Sequence, residues 1–335
     1  AAWLRELLPA ASPDQRWEVI NAGGISYASY RVAALMEELS QYQPDLFIVY
    51  TGHNEFLEER TYGDLRRQPA PLLRAASTLS WSRTYSLLHR WWAEPDRPRG
   101  GAVLPAEVDA VLDRTVGPSS YHRDDLWRDQ VLAHFELNLA RMAELARGCG
   151  AELVVVVPAV NLKDCAPFKS EHSAGLSRQQ RDDCQALYRQ STEQQQAGRL
   201  PEALAAGEKA AEIDPRHAGL QFHIAHLLLA LGRAGEASIA FQRALDEDVC
   251  ALRAPSAFLR TIREVATQRD VPLVDFDLVV KNECLIRYGH AVPGKEYFLD
   301  HVHLTVDGYQ MLAVSIIECL QQKQAFGTAS LAQED

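Results

Sequence analysis

The chain has 335 residues, enough for one large domain or two smaller ones, and 47% of them are hydrophobic, an ordinary share for a protein with a buried core. A net charge of −11 excludes a general nucleic-acid binder, which needs a basic stripe, and Arg66-Arg67 and Arg97-Pro98-Arg99 read as solvated loop. Six cysteines stand apart with no C-x-x-C pair, so they read as scattered thiols, and no run of 18 apolar residues offers a membrane span.

Residues 2–8 carry Trp3, Leu4, Leu7 and Leu8 at helical spacing, and Pro9 to Pro13 are expected to end that helix. The chain opens in this helix without a Met. The expectation is a segment of something longer, with targeting signals upstream. Trp17 to Asn21 reads as a short strand running into a turn at Ala22-Gly23-Gly24. Residues 29–42 are expected to be helical, with Val32, Leu35, Met36 and Leu39 on one face. Leu46 to Tyr50 is a continuous apolar run of strand length, the mark of a strand buried on both faces. It delivers Gly52-His53-Asn54-Glu55 at its C-terminal end.

Residues 60–120 are irregular and read as a lid-like insertion, with a helix from Ser82 to Trp92. Residues 123–147 are expected to form a long helix with Leu126, Val131, Phe135, Leu139, Met142 and Leu145 facing inward, stopped by Gly148 and Gly150. Leu153 to Val157 is the next strand. A helix over 255–268, a strand over 271–276 and a closing helix over 305–323 complete the chain; Met311, Leu312, Val314, Ile316, Ile317 and Leu320 line the last. This strand–helix alternation with all-apolar strands predicts an α/β fold with a doubly wound parallel sheet covered on both faces.

Between these halves lies a repeat. Gly198-Arg199-Leu200-Pro201-Glu202-Ala203 returns 34 residues on as Gly232-Arg233-Ala234-Gly235-Glu236-Ala237, and Ala210 returns as Ala244. The period and the small residues resemble a pair of tetratricopeptide helix hairpins over residues 181–249. Two such units bury too little alone and are expected to lean on the α/β body or on another protein.

Asp300-His301-Val302-His303 places a carboxylate and an imidazole three residues apart, the spacing of an orienting acid and a general base. Asn54, following a strand, can present a side-chain amide to an oxyanion. Two other readings compete for the first motif: Asp300, His301 and His303 as metal ligands, or His303 as a buried structural histidine. Asn138, Asn161 to Asp164 and Phe168 to His172 have two readings, as residues lining the pocket or as caps and turn formers, with the second favoured.

In order and context these blocks resemble the SGNH (GDSL-type) hydrolase family, over about residues 1–165 and 250–325, with the tetratricopeptide-like insertion between. The resemblance implies a flavodoxin-like three-layer sandwich and an esterase acting on O-acyl esters without metal or cofactor. It implies His303 as base, Asp300 as its orienter, Asn54 as oxyanion donor and Gly24 or Ser26 as a backbone donor. Ser26 stands where the family has a glycine. Gly52 and Glu55 are expected to support the turn, Glu55 replacing the family's usual Asp. The family's nucleophilic serine sits on a first strand that these residues do not show, so an inactive chain is expected. Sheets of this family run 2-1-3-4-5, which leaves a gap between Trp17–Ile20 and Leu46–Tyr50. Relatives of this kind imply a membrane-anchored or extracytoplasmic parent. The alternative expectation is a non-catalytic scaffold that binds a protein through the helical repeats.

Overall fold

The computed structural model describes residues 1–57 and 121–322. The lid-like insertion expected over 60–120 lies outside the described residues. Within them the chain is a mixed α/β structure, mostly helical, around a small parallel sheet. It begins with α1 (Ala2–Ala11), α2 (Ser29–Leu39), a 3-10 turn (Ser40–Tyr42) and β1 (Leu46–Tyr50). Then come α3 (Asp125–Cys149) and β2 (Glu152–Val156). Four helices follow: α4 (Arg178–Gln196), α5 (Leu200–Ile213), α6 (Ala218–Ala230) and α7 (Ala234–Asp246). The chain closes with α8 (Ser256–Arg269), β3 (Leu273–Val274), α9 (Phe276–Tyr288) and α10 (Val306–Gln322).

The three strands pair in parallel in the order β1-β2-β3, with Phe47 beside Leu153 and Val155 beside Leu273. Alternate side chains leave opposite faces, so two cores form. Phe47, Val49, Leu153 and Val155 pack with Met36 of α2, Phe135 and Met142 of α3, and Phe258 and Ile262 of α8. Val154, Val156 and Val274 pack with Leu4 and Leu8 of α1, Phe276 and Val280 of α9, and Ile316 and Leu320 of α10. Helices therefore cover both faces. No described helix is long and apolar enough to cross a membrane.

Several expectations need correction. Trp17 to Asn21 forms no strand: Ile20 is 69% exposed, and the Val19 carbonyl accepts from Arg5 Nε of α1 at 2.9 Å. α1 runs past the expected Leu8 through Pro9, which forgoes its own intrahelical bond, and ends at Ala11, within the Pro9–Pro13 segment. Leu126, expected inward, is 79% exposed in the first turn of α3, and Val314 faces outward on α10. The third strand keeps only two residues of the six expected. Asp275 instead accepts the Leu278 amide and starts α9, a helix the sequence reading did not contain.

The repeat region forms two helix pairs, α4 with α5 and α6 with α7, and α5 packs on α6. Its core runs from Cys184 and Leu204 to Leu227 and Phe241, and takes in Val160, Leu162 and Val292 from outside the repeats. The repeats thus lean on the loops at the end of β2. The loop Phe168–Ser173 is held by two aspartates 34 residues apart. Asp248 accepts the Phe168 and Lys169 amides, and Asp214 accepts the Ser173 amide on both of its oxygens.

Candidate functional site

The parallel strands end together, and the chemistry-bearing loops leave from their C-terminal ends, where ligands sit in open α/β sheets. β1 runs into Thr51 and Gly52. Gly52 has φ +129°, a conformation side chains rarely adopt, which is why glycine stands there. Glu55 is fully buried. Its carboxylate accepts the Ser29 amide at 2.8 Å and the Ser29 hydroxyl at 2.7 Å, and Asn138 Nδ2 donates to the same hydroxyl at 3.1 Å. α2 has no side-chain cap of its own, since its N-cap is Ala28. Glu55 reaches across from the β1 turn to satisfy that end, and its charge suits the positive pole of the helix.

Asn54 is half-buried and donates through Nδ2 to the Tyr27 carbonyl at 3.2 Å. A side-chain amide has two such hydrogens, so one remains for a ligand. The Tyr27 ring lies over Gly24, where an added Cβ would come within 2.3 Å of it. Gly24 and Ser26 are thereby tied to Asn54 through Tyr27. Ser26 takes φ +59°, a left-handed conformation that glycine adopts freely. Among the described residues neither the Gly24 nor the Ser26 amide has a hydrogen-bond partner.

The Asp300–His303 turn is closed by a bridge between Phe298 and Leu304 and by the Leu299 amide donating to the His303 carbonyl at 2.8 Å. Asp300 Oδ1 accepts the amides of Val302 and His303 at 2.9 and 2.8 Å, and Oδ2 meets His303 Nδ1 at 2.6 Å. Partial burial pushes the Asp300 carboxyl up, but these two amides and the His303 side chain prevail and hold it at about 2. An ionised carboxylate only accepts, so Nδ1 carries the hydrogen and the lone pair of His303 lies on Nε2. The His303 side chain is 65% exposed.

Asn161, at the end of β2, holds the turn from behind. Its Nδ2 donates to the Asp300 carbonyl at 2.9 Å and its amide to that of His301 at 3.1 Å. Arg253 donates to the Asn161 and Cys165 carbonyls, both at 2.8 Å. Phe168 meets the His301 ring edge-to-face at 5.3 Å.

The sequence reading passed over His53, which joins the two halves of the site. It is buried, and its Nδ1 accepts the Ala254 amide at 3.3 Å, so the hydrogen sits on Nε2, which has no partner among the described residues. Burial first, then the neighbouring His301 and His303 rings, lower its pKa to about 3. The two turns are linked through intervening residues: His53 takes the Ala254 amide, the adjacent Arg253 donates to the Asn161 carbonyl, and Asn161 donates to the Asp300 carbonyl. A histidine at the free position of a Gly-x-Asn turn carries no signal of its own in a single sequence.

Asp300, His301 and His303 do not converge as metal ligands. His301 Nδ1 stands 3.6 Å from Asp300 Oδ1 and its ring is 6.3 Å from that of His303. Among the described residues the grouping whose ligand atoms lie within 4.8 Å of one another is His172, Cys184 and Asp214. No described hydroxyl reaches His303, and the Ser29 hydroxyl is spent on Glu55. No protein-family model, curated protein or solved structure matches the chain.

Proposed function

We propose that this protein carries the base and oxyanion-binding parts of a serine-type acyl-transfer site of the SGNH kind, acting on O-acyl esters. The observation behind this is the Asp300–His303 pair, its Nε2 open, tied through Asn161 and Arg253 to the segment that bonds His53 of the β1 turn bearing Asn54. In this reading His303 Nε2 takes the proton of a serine hydroxyl as its oxygen bonds to the acyl carbon, then returns it to the departing alcohol as the ester C–O bond breaks. Asp300 stays ionised and stabilises the imidazolium. Asn54 Nδ2, with the Gly24 or Ser26 amide, donates to the oxyanion. One such donor lowers the barrier by about 3 kcal/mol. The serine lies outside the described residues, and the sheet belongs to a flavodoxin-like, doubly wound arrangement with a further strand beside β1.

A short alkylphosphonate mimics the tetrahedral oxyanion and needs no nucleophile to bind. In a nitrogen-15 NMR titration the His303 ring and Asn54 side-chain signals should shift together, and Asn54→Ala should weaken binding by at least about tenfold. Shifts confined to surface lysines and arginines would sink the reading.

A second reading rests on a groove of about 480 Å³ across α5, α6 and α7, with Ile224, Leu228 and Ala240 at its floor and Glu208, Glu212 and Glu236 along its rim. There the helical pairs would dock a protein segment and the α/β body would serve as a scaffold. Phosphonate binding at Asn54 and His303 separates the two.

A further inference from the structure

Asp214 and Asp248 close the two repeats at equivalent positions 34 residues apart, both buried, yet their charges are handled differently. Asp248 accepts three backbone amides, and the buried Arg253 guanidinium lies 3.5 Å from its Oδ2. Asp214 is 0% exposed and bonds no guanidinium or ammonium group among the described residues. Its Oδ1 is held by the Ser173 hydroxyl at 2.5 Å and by the Ser173 and Arg216 amides at 3.3 Å each. Oδ2 meets His172 Nδ1 at 2.7 Å and the Ser173 amide at 3.3 Å, and the Cys184 thiol, which donates to the Ala210 carbonyl at 3.5 Å, lies close by. A buried carboxylate calls for a cation or a metal.

We propose that His172 Nδ1, Cys184 Sγ and Asp214 Oδ2 form a binding site for one zinc-type divalent ion, stapling the loop after β2 to the first helix pair. One ligand atom from each of the three side chains already lies within 4.8 Å of the others, and thiolate, imidazole and carboxylate together are the donor set of zinc, which takes four ligands in a tetrahedron. The fourth position falls to water. Ser173 and Arg216 fix the carboxylate from outside, as partners of metal ligands do. 34 residues on from Cys184 the second repeat has Ala218, equally buried, so the packing at this place accepts alanine, and the thiol adds only a weak bond to the Ala210 carbonyl. Binding at Nδ1 leaves the hydrogen of the neutral His172 ring on Nε2 and releases the thiol proton to solvent.

The test is reconstitution of the chelator-treated protein with Co²⁺ as a spectroscopic stand-in for zinc, followed by competition with Zn²⁺. One equivalent should bind with a thiolate-to-cobalt charge-transfer band. Cys184→Ala should erase the band, and His172→Ala should weaken binding by at least about 100-fold. Ser173→Ala should weaken it about 10–100-fold. Cys250→Ala, a thiol outside the grouping, should bind as the unaltered protein does. Circular dichroism identical to that of the parent shows that a variant is folded, and Cys184→Ala is chosen because Ala218 shows the fold accepts alanine. Failure to bind one equivalent, or a cobalt spectrum unchanged by Cys184→Ala, overturns the proposal. Neither outcome depends on esterase activity.

Discussion

Asp300 grips His303 twice, through one oxygen on the amide at 2.8 Å and the other on Nδ1 at 2.6 Å. This division of labour makes Asp300→Asn informative. The amide oxygen must stay on the two backbone N–H groups, which puts the NH₂ against His303 Nδ1. The donor there forces the ring hydrogen onto Nε2 and removes the basic lone pair. Nitrogen-15 shifts of His303 should report that tautomer change. Wherever esterase turnover is measurable it should fall about 10⁴-fold.

Glu55 makes a different prediction, of stability. Its buried carboxylate satisfies two donors of Ser29 at the start of α2. Glu55→Ala strands both, and hydrogen bonds to charged groups contribute about 1.5–3 kcal/mol each. A loss of about 3 kcal/mol is expected in urea unfolding. Glu55→Asp should cost less but not nothing, because a chain one methylene shorter loses reach.

What the sequence made legible follows from how local each signal is. Leu46 to Tyr50 announces itself as a strand through five consecutive apolar residues, and the repeats through a 34-residue period. Trp17 to Asn21 carries the same local signal, but a strand needs a neighbour, and propensity says nothing of one. β3 stops early because Asp275 caps α9, a contest between strand and helix that the run from Val271 to Phe276 does not show. Asp300 and His303 are readable because they are three residues apart. The support from Asn161 and Arg253 is not, since it depends on contacts across 139 and 92 positions.

The buried Asp248–Arg253 pair should behave as such pairs do when broken. Each side chain is at most 2% exposed, and Arg253 also bonds the loop that carries Asn161. Arg253→Met leaves the Asp248 charge uncompensated in a site whose burial already raises its pKa. A loss of about 3–5 kcal/mol is expected. Adding Asp248→Asn should recover part of it, and a double-mutant cycle by urea unfolding measures the coupling.

His53 should make the fold sensitive to acid. Its folded pKa of about 3 lies below the 6.5 of an unfolded histidine, so the unfolded chain binds the proton more tightly. Its contribution is fully present above about pH 6.5 and is lost as pH falls toward 3, with a slope of at most about 1.4 kcal/mol per pH unit. His134, held at about 4 by burial, adds to the same trend. In thermal melts across this window, His53→Gln should flatten the dependence by up to one proton. An unchanged slope would show that the ring is not buried as described.

The register of β1 predicts which of its amides are protected. Glu152 donates to the Asp45 carbonyl, and Phe47 lies opposite Leu153. In a parallel ladder this turns the amides of Phe47 and Val49 toward β2, and those of Leu46, Ile48 and Tyr50 toward the outer edge. Among the described residues nothing pairs with that edge. Hydrogen exchange at Leu46, Ile48 and Tyr50 should then run at least about tenfold faster than at Phe47 and Val49, since an unpaired amide opens without breaking the ladder. Equal protection on both sides would instead place a further strand against β1. The same measurement repeated with any added segment that confers esterase turnover should show those three amides slow down together, because a strand that completes the sheet must take up all three.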